Sequence, residues 1–149
     1  MTTPQPRRVL LPNTSHPSWG LVLALGLVTG AQAFEVQSPS LKPDLLLTQA
    51  HVFSGFGCEG GNQSPALTWT QPPEGTQSLA VTVHDPDAPT GSGWWHWVVY
   101  NLPAQTTQLP ANAGRADGKG LPAGTVQGRT DYGTTGFGGA CPPAGDAPH

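Results

Sequence analysis

Two groups of residues in this chain have types and spacing that could do chemistry. The first is His84, Asp85 and Asp87 at the end of one apolar run, with His96 early in the next. The second is the tail Gly136-Phe-Gly-Gly-Ala-Cys-Pro-Pro143, which leads to His149. Imidazoles and carboxylates together can ligate a divalent metal or exchange protons. A strand that stops in a Pro-locked loop can hold its carboxylates rigidly at the rim of a β-structure, where sites commonly lie. The same residues also admit a purely structural role. Asp85 and Asp87 would cap turns through their side chains, and His96 would be a hydrogen-bonded core residue. Spacing alone favours that plainer role.

Several specific chemistries are excluded. A calcium loop fails because Pro89 stands where a third Asp or Asn is required and no Glu closes the loop. There is no H-E-x-x-H, no G-x-S-x-G and no Walker loop; Gly114–Gly120 reads G-R-A-D-G-K-G, with the wrong spacing and no Ser or Thr after Lys119. The run Gly133-Thr-Thr-Gly-Phe-Gly-Gly139 could form a nest of backbone N–H groups around an anion, although such glycines also serve ordinary turns.

Short strands must position these residues. Leu79, Val81 and Val83 alternate with Ala80, Thr82 and His84, the period of a half-buried strand. It ends at Asp85–Gly93, where two prolines and two glycines prevent ladder pairing. Trp95–Tyr100 is apolar on both faces, which predicts a central strand, with His96 on the face opposite Trp95 and Trp97. Further strands are expected at Leu45–Leu47, His51–Phe53, Ala66–Thr70 and Val126–Thr130. The expected turns are Gly55–Gly61 and Pro72–Gly75, with an extended lead-in at Glu35–Pro43 and a mobile loop at Asn112–Gly124. No amphipathic helix is legible after residue 34. The reading is all-β.

Composition agrees. Gly and Pro make up 20 + 17 = 37 of 149 residues, which borders on low complexity, but five Trp, two Tyr and four Phe argue for a packed, loop-rich domain. The net charge of −3 argues against nucleic-acid binding, which draws on Lys and Arg. Arg7 and Arg8, the apolar stretch Gly20–Thr29 and Ala31-Gln-Ala33 form the pattern of a secretory signal peptide over residues 1–33. The stretch is shorter than the about 20 residues a membrane span needs. Cleavage after Ala33 would leave 149 − 33 = 116 residues, with four basic and nine acidic side chains. The expected location is therefore outside the cytoplasm, periplasmic or secreted. Cys58 and Cys141 are the only cysteines, and an even count in an exported chain favours a disulfide. Two buried thiols packed as small hydrophobes are the alternative.

The run Asp85-Pro-Asp-Ala-Pro-Thr-Gly-Ser-Gly-Trp-Trp-His-Trp-Val-Val-Tyr-Asn101 closely resembles the phosphatidylethanolamine-binding protein family, in its bacterial Raf-kinase-inhibitor-like branch. Phe53–Asn62, Ser64–Trp69, Asp131–Gly133 and Cys141–His149 agree with it in order and spacing, so the likeness spans nearly everything after residue 34. The resemblance implies a Greek-key β-sandwich of two antiparallel sheets over residues 34–149. A small pocket at one end would bind anions such as phosphate head groups. Asp85, Asp87 and His96 would line this pocket and Pro89 would shape its wall. Gly139, Cys141, Pro142 and Pro143 would form the facing loop, with His149 as the second pocket histidine. The Ala88–Pro89 bond would be a candidate cis peptide. Family members continue past the final His with Arg-Tyr and further strands, so the resemblance also implies a domain incomplete at its C-terminus.

The expected function is a non-enzymatic exported module that binds a small anionic or phosphorylated ligand, with no cofactor, no metal and no nucleic acid. Membrane contact would be limited to lipid head groups. The alternative is inhibition of a partner protein, a secreted protease or a kinase, through the same pocket region. A hydrolase or metal enzyme ranks last, because no activated nucleophile or complete ligand set is visible.

Overall fold

The computed structural model describes residues 34–43 and 46–146. Residues 1–33, where a signal peptide is expected, and Leu45 and His149 lie outside the described residues. Eight strands follow in order: β1 Val36–Gln37, β2 Ser54–Gly55, β3 Cys58–Glu59, β4 Leu67–Trp69, β5 Ser78–Asp85, β6 Trp94–Pro103, β7 Gln108–Leu109 and β8 Val126–Gln127. The one helical element among the described residues is a 3₁₀ turn at Gln49–His51. All strand pairing is antiparallel, in sheets ordered β1-β4-β7 and β5-β6-β8 with a separate β2-β3 hairpin.

The two three-stranded sheets share one core. Trp97, Val99 and Leu102 of β6 pack with Leu67 and Trp69 of β4, Leu109 of β7 and Ala113. Leu79, Val81 and Val83 close over it from β5, half-buried as their alternation requires. β6 is the central strand of its sheet, as its apolar run predicts. Its pairing with β5 is not regular. Asp85 faces Trp94 and His84 faces Trp95, but Val83 faces Trp97, so His96 is the extra residue of a β-bulge. A bulge breaks the two-residue period and re-aims the side chains beyond it. Trp95 is therefore exposed while His96 and Trp97, consecutive in sequence, are both buried. This corrects the expectation that Trp95 and Trp97 share one face.

Other expectations shift in the same way. Leu46 and Leu47 are exposed and form no strand. His51–Phe53 is the end of the 3₁₀ turn followed by a single bridge from Val52 to Ala140. Gly55–Gly61 contains a turn but also most of the β2-β3 hairpin. The loop after Asn112 is anchored at its start. Ala113 is fully buried, Asn112 N–H donates to the Ser64 carbonyl, and Gly114 N–H donates to Ser64 Oγ at 2.9 Å. Gly114 must be glycine, because a Cβ would stand 2.7 Å from Phe137 and 2.9 Å from the Trp97 ring.

Candidate functional site

The bulged residue His96 is the centre of the site. Its Nδ1 lies 2.7 Å from the Gly138 carbonyl, and its own carbonyl accepts the Gly138 N–H at 2.9 Å. A carbonyl only accepts, so Nδ1 carries the proton and Nε2 is the nitrogen left for other chemistry. Among the described residues Nε2 has no hydrogen-bond partner.

Tyr132 forms the next wall. Its ring stacks on Phe53 at 4.1 Å, meets Trp94 edge-on at 5.3 Å, and lies 5.9 Å from His96. Its hydroxyl donates to the Gly139 carbonyl at 2.6 Å. Asn62 ties the loop from the other side, with Oδ1 accepting the Gly139 N–H and Nδ2 donating to the Phe137 carbonyl. Ala140 N–H donates to His51 O, and Phe53 N–H donates to Ala140 O. The segment Phe137–Ala140 is thus pinned on both edges, and all four of its backbone N–H groups are donated within the protein, so these residues do not supply the N–H nest expected over Gly133–Gly139.

The Asp85–Gly93 loop reaches the same end of the sheet. Asp85 faces Trp94 across the ladder, and its Oδ1 accepts the Asp87 N–H at 3.0 Å. That is an Asx-type turn, so the plainer reading of Asp85 as a cap holds alongside any role in the site. Asp87 and Pro89 are exposed on the loop. All described peptide bonds are trans, which corrects the expectation at Ala88–Pro89. Trans is the ordinary X–Pro isomer, and here the turn closes with Thr90 N–H on the Ala88 carbonyl. Gly93, at φ 75°, has no room for a Cβ, which would meet the Asp85 carbonyl at 2.5 Å. His84 packs at a tilt against the exposed Trp95, ring centres 4.2 Å apart, with Nε2 3.1 Å from the Ser92 carbonyl. On the facing loop Gly139 is buried, Cys141 is half-buried, and Pro142 and Pro143 are exposed. Cys141 is bonded to Cys58, so the disulfide expected from the cysteine count is present.

Trp94, Tyr132, Asn62 and Phe53 were given no role in the sequence reading. The contacts that define them cross up to 77 positions in the chain. The one local signal was an aromatic residue, Tyr132, directly before a glycine-rich run. Trp94 matters most. Its Nε1 is fully buried beside the Tyr132 hydroxyl and makes no well-formed hydrogen bond among the described residues. Among the described residues no group of three or more His, Cys, Asp or Glu could hold a metal. A separate apolar groove of about 320 Å³, lined by Phe34, Leu67, Trp69, Leu79, Val81 and Val83 among others, offers no titratable side chain.

Burial pushes the Tyr132 phenol above its usual pKa, and a weak hydrogen-bonding contact from the Trp94 indole partly opposes this. The folded state therefore keeps this proton where the unfolded chain releases it. Stability should fall as pH rises above about 10. Chemical denaturation at pH 8 and pH 11 should show a smaller alkaline loss for Tyr132→Phe than for the wild type. The variant should also be less stable at pH 8 by about 1 kcal/mol, the usual worth of one hydrogen bond. Equal alkaline losses would refute the burial argument.

Fold and site together define an antiparallel β-sandwich in which a bulged central strand is bonded to a glycine-rich loop through His96 and Gly138, with the Pro-locked loop entering the same strand at Trp94. The family model "phosphatidylethanolamine-binding protein" matches residues 37–149. The chain is 67% identical over 119 residues to the Escherichia coli UPF0098 protein YbcL, covering 80% of this chain and 65% of that protein. It is 55% identical over 100 residues to UPF0098 protein YbhB of the same organism, covering 67% and 63%. The crystal structure of E. coli YbcL, described as a new member of the mammalian PEBP family, superimposes with a TM-score of 0.74 over 76% of this chain and 70% of that one. The chain belongs to the phosphatidylethanolamine-binding protein family. It spans slightly under two thirds of the length of the two curated relatives.

Proposed function

We propose that this chain is an exported, non-enzymatic binding protein that holds a small anionic or phosphorylated group beside His96, Trp94 and Tyr132. The observation that carries the reading is His96: its Nδ1 proton is held on the Gly138 carbonyl, and among the described residues its Nε2 has no partner. A protonated imidazole donates from Nε2 to an oxygen anion. Trp94 Nε1, buried against the Tyr132 hydroxyl without a well-formed hydrogen bond, is a second donor for it. Asp85, Asp87, Pro89 and the Gly139–Pro143 loop would form the rim. Export rests on the segment 1–33 and on the oxidised cysteine pair, which suits an oxidising compartment.

Trp94→Phe tests the assignment, because it removes the N–H and keeps most of the ring. Stability should stay level or rise, since an unsatisfied donor disappears. Affinity for phosphoethanolamine should fall about tenfold, as expected for one lost hydrogen bond to a charged group. Calorimetric titration of both proteins gives the answer; unchanged affinity would reject the site.

Inhibition of a protein partner, a secreted protease or a kinase, is the second reading. It is favoured by Phe56, 78% exposed at the hairpin tip beside the site, where a partner could cover it. A protease panel at micromolar protein tests this form, and no inhibition would reject it.

A further inference from the structure

The Cys58–Cys141 disulfide sits where firmly held chain meets loosely held chain. On one side is Phe137–Ala140, tied by hydrogen bonds to Gly114, His96, Asn62, His51 and Phe53. Every one of those bonds lies before Cys141. Beyond it, the described tail has one backbone bond of its own, Asp146 N–H to the Pro143 carbonyl. The Cys141 sulfur approaches the Gly55 and Phe56 carbonyls only at 3.8 and 4.0 Å, and a disulfide sulfur has no proton to donate.

On the other side is the β2-β3 hairpin, with two residues per strand. A hairpin this short is not stable by itself. Its tip residue Phe56 has φ 54°, a left-handed conformation that a bulky side chain adopts only when its surroundings impose it. The Phe56 ring nevertheless stands over the site, 5.4 Å from Phe53 and 5.8 Å from Tyr132. Backbone bonds from Gly60 N–H to the Phe53 carbonyl and from Asn62 N–H to the Val52 carbonyl hold the base of the hairpin, so the covalent link at Cys58 is the restraint nearest its tip.

We infer that this disulfide is a redox clasp on the candidate site. Closed, it holds Phe56 over Tyr132 and fixes the path of the tail through Pro142 and Pro143. Opened, it frees the hairpin tip and the tail while His96, Gly138, Gly139 and Tyr132 keep their hydrogen bonds. The reductant is a dithiol. One of its thiolates attacks a sulfur of the pair to form a mixed disulfide, and its second thiol displaces the remaining cysteine. Two electrons and two protons pass to Cys58 and Cys141, and the dithiol becomes a disulfide. Both cysteines are half-buried, not enclosed, so such a reagent can reach them. The consequence for ligand binding rests on the anion-site reading above; the opening of the clasp does not.

The experiment compares the full chain oxidised, reduced with dithiothreitol, and reoxidised, using inorganic phosphate and phosphoethanolamine as probes. Reduction should weaken phosphoethanolamine binding at least tenfold, and reoxidation should restore it. The Phe56–Tyr132 cross-peak in NMR should disappear and return, while the Trp97 indole signal stays fixed throughout. Two results overturn the inference: a cross-peak that survives reduction, or a Trp97 signal that collapses, since the bond would then staple the whole fold. If the oxidised protein binds neither probe, the anion-site reading fails. The clasp is then decided by the cross-peak alone. Cys58→Ser with Cys141→Ser provides the permanently open form, with the same Trp97 signal as its check.

Discussion

Trp97→Ala should cost about 3–5 kcal/mol, the range for truncating a large buried aromatic. Trp97 is fully buried at the middle of β6, between the β5 and β8 pairings. It meets Phe137 edge-on at 6.1 Å, and Gly114 approaches its ring so closely that a Cβ there would not fit. The surroundings come from several separate segments, which limits how far they can collapse into the void. A second loss adds to the cavity. Trp97 Nε1 donates to Gln127 Oε1 at 2.8 Å, and Gln127 Nε2 donates to the Arg115 carbonyl. Truncation removes the Trp97 end of this chain and leaves Gln127 Oε1 without its donor. For a domain of this size the loss corresponds to a melting point lower by roughly 10–25 °C. Trp97→Phe keeps the ring contact and forfeits the hydrogen bond, so it should lose about 1–2 kcal/mol. Thermal melts of the two variants separate packing from hydrogen bonding. A Trp97→Ala shift of only a few degrees would mean that this core does not carry the fold.

The parts of the fold that were legible in the sequence are those whose partners are close in the chain. The β5-β6 hairpin is written in the alternation of Leu79, Val81 and Val83, in the Pro-Gly loop, and in the doubly apolar run after it. The disulfide followed from a count of two cysteines. What escaped depends on distant neighbours. β7 is two residues, Gln108–Leu109, and exists because Leu67 offers it a ladder. Leu46 and Leu47 look like a strand but find no sheet, so they remain exposed. The bulge at His96 is invisible locally, because nothing in W-W-H-W says that one residue will go unpaired. Its consequence is central to the site: it buries a histidine and a tryptophan side by side. Asn62 and Tyr132 escaped as site residues for the same reason, since their partners lie across folded loops. The family likeness located the loops, whereas the contacts among them required coordinates.

Gly138→Ala should disable the site by a purely steric route. Gly138 is buried, and a Cβ at this position would stand 2.2 Å from Tyr132 Cδ2 and 2.4 Å from Cε2. Contacts that short do not occur, so something must move. The ring has little freedom to yield. It is stacked on Phe53, its hydroxyl is bonded to Gly139, and Trp94 abuts its edge. The backbone at Gly138 is equally held, because its N–H and carbonyl both bond to His96. Whichever side gives way, the spacing between His96, Tyr132 and Trp94 is lost. The stability cost should be about 1–3 kcal/mol, typical of overpacking. The cost to phosphoethanolamine binding should be larger, at least tenfold, since misplaced groups no longer converge on one ligand atom. The control is a double-mutant cycle with Tyr132→Ala. If the clash with the ring is the cause, Gly138→Ala should cost little stability in that background, and the two changes should be strongly non-additive. Additive losses would place the cause in the Gly138 backbone, and the wall formed by Tyr132 would have to be redrawn.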